Sequence, residues 1–203
     1  RRAIAERLSK SWREIPHVTT YDAFDASALL ERRRRLSGDV GESVPIEALI
    51  MRALAPVLAR HREFNASLDG DQLTLHGDLH LGFAVDGGDG LLVAVVRDVG
   101  RKDLGSLARE VVDLARAAKE RSLTRDQMTG ATFTISNIGA VGGGYGTPII
   151  PLGTTAILSI GRADDPVVIR DGGIHVAPMA PLSLSYDHRV VDGVAQIFHA
   201  LAE

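Results

Sequence analysis

Two hydrophobic periods alternate irregularly along this chain, and their order narrows the possible folds more than any other property. Helical spacing marks residues 1–12 (Ile4, Leu8, Trp12 on one stripe), a stretch from Pro45 to about His61, and Leu104 to about Arg121 with Asp103 as cap. Ser27 can cap a further helix to Leu36, which Ser37-Gly38-Asp39 ends; Pro56 should kink the helix that Pro45 opens. Strand-like runs cover His17 to Phe24, Leu79 to Val85, Leu91 to Val96, Ala131 to Ser136, Thr155 to Ile160, Val167 to Arg170 and Ile174 to Tyr186. Gly87-Gly88-Asp89-Gly90 reads as a hairpin loop and Asp69-Gly70-Asp71 as a turn; Gly193 to Leu201 reads as a last helix. The final third is strand-heavy. An α/β sandwich with a large mixed β-sheet fits this order better than a doubly wound parallel fold. With 203 residues, 45% hydrophobic and 24% charged, and no linker or repeat, one domain spanning 1–203 is the simplest division.

Charge and cysteine content exclude several functions. Lys and Arg total 23 against 26 Asp and Glu, a net charge of −3, which is not the basic excess of a nucleic-acid binder. There is no cysteine, hence no disulfide framework, thiolate metal site or cysteine nucleophile, and any thiol chemistry must use a thiol that a ligand brings. No apolar run reaches the ~18 residues of a membrane-spanning helix. No signal peptide is visible, so the expected compartment is the bacterial cytoplasm, with the mitochondrial matrix as the alternative. A start at Arg1 without methionine is what a segment of a longer protein would show.

Among seven histidines, only His188 has an Asp four residues on, Asp192. It lies in Ser183-Leu184-Ser185-Tyr186-Asp187-His188-Arg189-Val190-Val191-Asp192-Gly193, where a β run meets a polar cluster, a junction that often carries function. The spacing alone fits a buried histidine held by a carboxylate equally well. In Thr132-Phe133-Thr134-Ile135-Ser136-Asn137-Ile138-Gly139, Ser136 falls at a strand end beside glycine; its hydroxyl could serve an oxyanion, or the strand could simply have a hydrophilic face. Gly142-Gly143-Gly144-Tyr145-Gly146 is not a phosphate loop, because no Lys-Ser or Lys-Thr follows and Pro148 replaces the helix; a flexible loop or tight packing corner remains. His76 and His80 lack both a helix and a third ligand, so no metal site is expected. The run Arg32 to Arg35 reads as a solvated helix face.

Ser183 to Gly193 resembles the Asp-His-Arg-x-x-Asp-Gly signature of the dihydrolipoamide acyltransferases of 2-oxo acid dehydrogenase complexes. Further family blocks follow in order: Arg2 to Arg7 with Ile15 to Thr19, Asn65 to Asp69, Gly90 to Val93 with Val96 to Asp98, and Thr132 to Gly139. The resemblance implies the chloramphenicol-acetyltransferase-like fold, a two-layer sandwich. It implies homotrimers building a hollow cubic core of about 24 copies or a dodecahedral one of about 60, and an active site between subunits. It implies His188 as general base on the coenzyme A thiol, Ser136 as oxyanion donor, and Asp192 as support through His188 or a nearby Arg. It implies Arg33, Asp86, Ser136, Asn137 and Gly161 as coenzyme-binding positions, so Arg33 gains a phosphate-binding reading beside the solvated-face one. The lipoyl group would ride on a separate domain. Lipoyl and subunit-binding domains, the latter recruiting decarboxylase and dihydrolipoamide dehydrogenase, would lie outside this segment.

Asn137-Ile138-Gly139 followed by Gly142-Gly143 and Tyr145 looks most like the branched-chain type, with acetyl- or succinyl-type cores as alternatives. The chain departs from the family in three places. A Pro-Pro pair is missing after Pro148-Ile149-Ile150, Pro45 stands at a position usually held by a hydroxyl residue, and Ser37 to Ser43 is short. These bear on coenzyme binding and acyl selection. A non-catalytic scaffold subunit should lack His188, and a small-alcohol or amine acetylase would not need these blocks.

Overall fold

Alternation along the strands sorts the two faces of one large sheet. A computed structural model describes residues 2–40, 43–88 and 90–192. Its elements are α1 (Arg2–Glu14), β1 (His17–Asp25), α2 (Ser27–Val40), α3 (Ile46–Arg60), β2 (Ala66–Asp69), β3 (Gln72–Leu75), β4 (Leu81–Asp86), β5 (Leu91–Val96), α4 (Leu104–Lys119), β6 (Phe133–Asn137), β7 (Ala156–Ile160), β8 (Val167–Arg170), β9 (Gly173–Val176) and β10 (Met179–Asp187). Six strands form a mixed sheet in the order β1-β10-β7-β6-β4-β5; β7, β6 and β4 run parallel and the other pairs are antiparallel. β2–β3 and β8–β9 are separate two-stranded hairpins. This is the mixed-sheet α/β sandwich the sequence implied.

One face is apolar. Phe133, Ile135, Leu158, Ile160, Leu182, Leu184 and Tyr186 pack with Leu54 and Leu58 of α3 and Leu107, Val111 and Leu114 of α4. Each such buried side chain contributes about 1.5–3 kcal/mol before entropy is counted. The other face is rich in hydroxyls. The register sets Ser136 beside Ser159, Ser159 beside Ser183, and Ser183 beside Tyr21. Thr134 and Ser185, two residues along, share that face. Ser159, Ser183 and Ser185 are buried because the chain between β6 and β7 crosses over them: the Gly146 N–H donates to Ser183 Oγ at 3.1 Å, and Ile150 packs with Ile15 and Ile157.

Several local expectations change. α2 does not stop at Leu36 but runs to Val40, because the Ser37 hydroxyl, rather than breaking the helix, accepts the Val44 N–H at 2.9 Å beyond its end. Its start is capped by Asp25, which accepts the Ser27 N–H at 2.8 Å, so Ser27 is the first helical residue. α3 passes through Pro56 unbroken, with that ring facing outward. The run from Ile174 to Tyr186 is two strands, split at Ala177-Pro178, where proline has no N–H for a ladder. The α1 stripe of Ile4, Leu8 and Trp12 is half exposed, while Ser11 of that helix is buried with its hydroxyl on the Ile150 carbonyl. α4 matches expectation, including the Asp103 carboxylate accepting the Ser106 N–H at 2.8 Å. The helix expected at Gly193 to Leu201 lies outside the described residues.

Candidate active site

The sheet separates the expected site residues into two groups at opposite ends. β4, β6 and β7 are parallel, so their C-terminal ends lie together, carrying Asp86, Ser136 with Asn137, and Gly161. Asp86 is exposed and accepts the Gly88 N–H at 2.9 Å with one oxygen. Asn137 donates to Glu47 Oε1 at 2.8 Å, which ties it to the first turn of α3. Arg33 of α2 reaches the segment just before that turn: its Nε donates to the Val44 carbonyl at 2.8 Å and one terminal nitrogen donates to Ser43 Oγ at 3.3 Å. Arg33 is therefore not simply a solvated-face residue. Ser136 is half-buried, and its hydroxyl has no hydrogen-bond partner among the described residues.

Gly161 is required by close packing. Its N–H donates to the Pro181 carbonyl at 2.8 Å, and a Cβ built on it would stand 2.8 Å from the Gly144 carbonyl carbon. Gly139 is equally tight against Gly161 and Arg162, and Gly143 lies against Ile138. The glycine cluster at 142–146 is thus a packing corner.

The second group follows β10. Asp187 is 2% exposed and holds Arg189 through a two-pronged pair, Nε to Oδ1 at 3.0 Å and a terminal nitrogen to Oδ2 at 2.6 Å. The same Oδ1 accepts the Arg189 N–H at 3.0 Å, and the Asp187 carbonyl accepts the N–H groups of Val190 and Val191. The hydrogen bond to Asp187, aided by Glu14, holds the Arg189 guanidinium even further toward its charged form. His188 projects from this turn, its side chain 49% exposed, with Nδ1 3.4 Å from Asp192 Oδ1. Asp192 is 91% exposed, so this contact orients more than it stabilises. Of the two partners left open for Asp192, His188 is the one it contacts among the described residues, while Arg189 pairs with Asp187.

The two groups are too far apart to share one reacting centre in one protomer. Ser136 is in register with Ser183 through Ser159, and His188 stands five residues further along. At ~3.4 Å per residue that is roughly 17 Å along the sheet, plus two strand spacings across it. Sequence reasoning assigned no role to Asp187, Glu47, or the 43–44 segment; an Asp two residues before an Arg at a predicted strand end was the available signal for the first. His80 groups not with His76 but with Asp78 and Asp98, and its Nδ1 already accepts the Asp98 N–H at 3.1 Å.

The family model of the 2-oxoacid dehydrogenases acyltransferase catalytic domain matches residues 1–200. The chain is 40% identical over 196 residues to the dihydrolipoyllysine-residue acetyltransferase component of the pyruvate dehydrogenase complex of Pseudomonas aeruginosa, covering 94% of this chain and 36% of that protein. This chain thus spans about a third of that relative's length. The structure of the cubic core of a pyruvate dehydrogenase multienzyme complex superposes with a TM-score of 0.93 at 38% identity, covering 99% of this chain and 86% of that one. The Azotobacter vinelandii dihydrolipoamide acetyltransferase gives the same figures. In that enzyme a serine, a histidine and an asparagine, investigated for roles in catalysis, follow one another at the same two spacings as Ser136, His188 and Asp192. Chloramphenicol acetyltransferase, 16% identical with a TM-score of 0.57 over 97% of this chain and 92% of its own, shares the fold.

Proposed function

The chain belongs to the 2-oxoacid dehydrogenase acyltransferases, as their catalytic domain, and from that premise we propose that it transfers an acyl group between S-acyl-dihydrolipoamide and coenzyme A. A thiol with a pKa of ~8.5 is mostly protonated at neutral pH and needs a base. Neutral His188 takes that proton as the sulfur attacks the thioester carbonyl. Asp192 beside Nδ1 leaves Nε2 for the transfer. The free Ser136 hydroxyl donates to the oxyanion that forms. The new carbon–sulfur bond to coenzyme A replaces the one to dihydrolipoamide, and His188 returns the proton to the departing thiolate. The incoming thiol is itself the nucleophile, so no acyl-enzyme is needed.

The observation that carries this reading is the placement of His188 and Ser136 at opposite ends of one sheet, at the spacings of the Azotobacter catalytic residues. One copy's His188 then meets the next copy's Ser136, a head-to-tail contact that a closed trimer satisfies. Likeness to a cubic core supports assembly beyond the trimer. Arg33, Asp86, Asn137 and Gly161 line the coenzyme end: Arg33 keeps its second terminal nitrogen for a phosphate, and Gly161 keeps the backbone close. The lipoyl group and the decarboxylase and dihydrolipoamide dehydrogenase components are reached through segments outside this one.

The acyl group is read as acetyl, because the Pseudomonas relative is an acetyltransferase of a pyruvate dehydrogenase complex. The branched-chain type suggested by Asn137 to Tyr145 has no support in the comparisons. A methylene is worth ~1–3 kcal/mol of discrimination, so a panel of acetyl-, isobutyryl- and isovaleryl-CoA with dihydrolipoamide resolves the preference. Transfer that vanishes in His188→Ala supports the reaction. Acylation of an unrelated hydroxyl without activity on dihydrolipoamide refutes it.

A further inference from the structure

His17, the first residue of β1, lies at the His188 end of the sheet and has no part in the mechanism above. Both its ring nitrogens are committed. Nδ1 lies 2.7 Å from the Ile15 carbonyl, which can only accept, so Nδ1 carries the hydrogen. Nε2 lies 3.0 Å from the Ile150 nitrogen, whose N–H can only donate, so Nε2 is bare. The two backbone partners therefore select the neutral ring and one of its tautomers. Trp12 packs over it with ring centres 5.1 Å apart.

The bond reaches across the molecule. Ile150 belongs to the segment that crosses the hydroxyl face of the sheet, and it is clamped from both sides: His17 takes its N–H, and the Ser11 hydroxyl donates to its carbonyl. The Ile150 side chain is fully buried against Ile15 and Ile157. The residues flanking this clamp hold His188. The Pro16 carbonyl accepts the His188 N–H at 3.1 Å, His17 stands opposite Asp187 in the β1–β10 ladder, and the Asp187 N–H donates to Thr155 at 2.8 Å. Three chain segments, 15–17, 150–155 and 187–188, are thus tied at one point. The imidazole of His17 is the side-chain link between the first and the second.

We propose that His17 is a positioning residue for His188, its bare Nε2 anchoring Ile150 so that the Pro16 carbonyl and the turn after β10 hold the His188 backbone in place. The inference rests on the reading of His188 as the base. A base must stand within hydrogen-bond reach of its proton, and a displacement of 1 Å can cost about 10²-fold in rate. His17→Asn keeps a donor near the Nδ1 position and loses the acceptor for Ile150. His17→Gln puts an amide oxygen near the Nε2 position and restores that acceptor.

Steady-state transfer to dihydrolipoamide, with thermal unfolding and particle size as controls, separates the outcomes. The expected result is that His17→Asn lowers kcat by roughly 10- to 100-fold with KM for coenzyme A within about twofold, and that His17→Gln recovers most of the loss. An unchanged kcat in His17→Asn overturns the inference, as does a loss that is the same in both variants and follows their melting temperatures. If His188→Ala is inactive while His17→Asn is fully active, this inference alone falls. If His188→Ala is active, the base assignment falls and takes this inference with it. Should His17→Asn not assemble, nitrogen-15 spectra of the histidine-labelled wild type must show a protonated Nδ1 and a bare Nε2 at His17; the opposite tautomer overturns the proposal.

Discussion

Gly161→Ala tests the packing on which the coenzyme end is built. A Cβ there would stand 2.8 Å from the Gly144 carbonyl carbon and 3.0 Å from its Cα, with the carbonyl oxygen closer still. Carbon atoms pack best at ~3.5–4.0 Å, so one of two backbones must retreat by about 1 Å. Neither can do so freely. Gly161 is held to Pro181 at 2.8 Å, and Arg162 donates to the Gly143 carbonyl at 2.7 Å, bonding the two segments that must separate. Overpacking costs about 1–3 kcal/mol and the lost bond about 1 more, so the expected destabilisation is roughly 2–4 kcal/mol. For a chain of this length that lowers Tm by roughly 5–15 °C. Gly144→Ala is the control. Nothing lies within 4 Å of a Cβ there, and the smaller freedom of its unfolded chain predicts no loss of stability. Calorimetry at one fixed protein concentration, with urea titrations to confirm a constant slope, reads the difference. A Gly161→Ala melting temperature within about 2 °C of wild type would refute the close-approach argument.

Ser136→Ala should lower kcat by about 10²–10³ with little change in KM, whereas a pure KM effect would reassign Ser136 to coenzyme binding. Ser136→Ala and His188→Ala chains, each strongly impaired alone, should recover activity above either when refolded together, and no gain from mixed assemblies would place both residues in one protomer's site. Arg189→Ala leaves the buried Asp187 carboxylate unpaired and should cost roughly 2–4 kcal/mol, somewhat below a fully buried pair because Arg189 is half exposed, as read by urea unfolding. The Asp25 carboxyl is held at about 2, below its usual 3.8, first by hydrogen bonds from Ser27 and then by Arg170. Its folded value is depressed, so its contribution is complete above about pH 4 and fades as the pH falls toward about 2. Asp25→Asn should therefore melt below wild type at pH 7, with the gap closing near pH 2; a gap independent of pH would remove the carboxylate from the account.

The parts of the fold that the sequence revealed were those decided locally. α4 was legible because its apolar spacing is clean and Asp103 caps it. β5 and β8 were bounded by turn residues and matched residue for residue. Local signals failed where a distant partner decided the outcome. Ser37-Gly38 reads as a stop, yet Ser37 instead holds Val44. Ile4, Leu8 and Trp12 form a good helical stripe that the protomer's own core does not use. By spacing alone Arg33 is one of four equivalent arginines; the resemblance singled it out, and its hydrogen bonds to Ser43 and Val44, residues brought back by the chain, were not legible in the sequence.

The candidate site residues, and their expected placement between subunits, came from the family resemblance and not from any spacing, and the strand order explains why. His188 and Ser136 each end a strand, and in sequence those ends look alike. Whether two strand ends lie on the same side depends on whether the strands run parallel. β10 lies between β1 and β7, antiparallel to both, while β6 follows β7 in parallel. One antiparallel step between β10 and β7 therefore sends His188 and Ser136 to opposite ends of the same sheet. No spacing within the chain encodes that step, because it is made by strands far apart in sequence. Its consequence for the proposed reaction is that each protomer would supply two half-sites, and a second copy would have to present the other half.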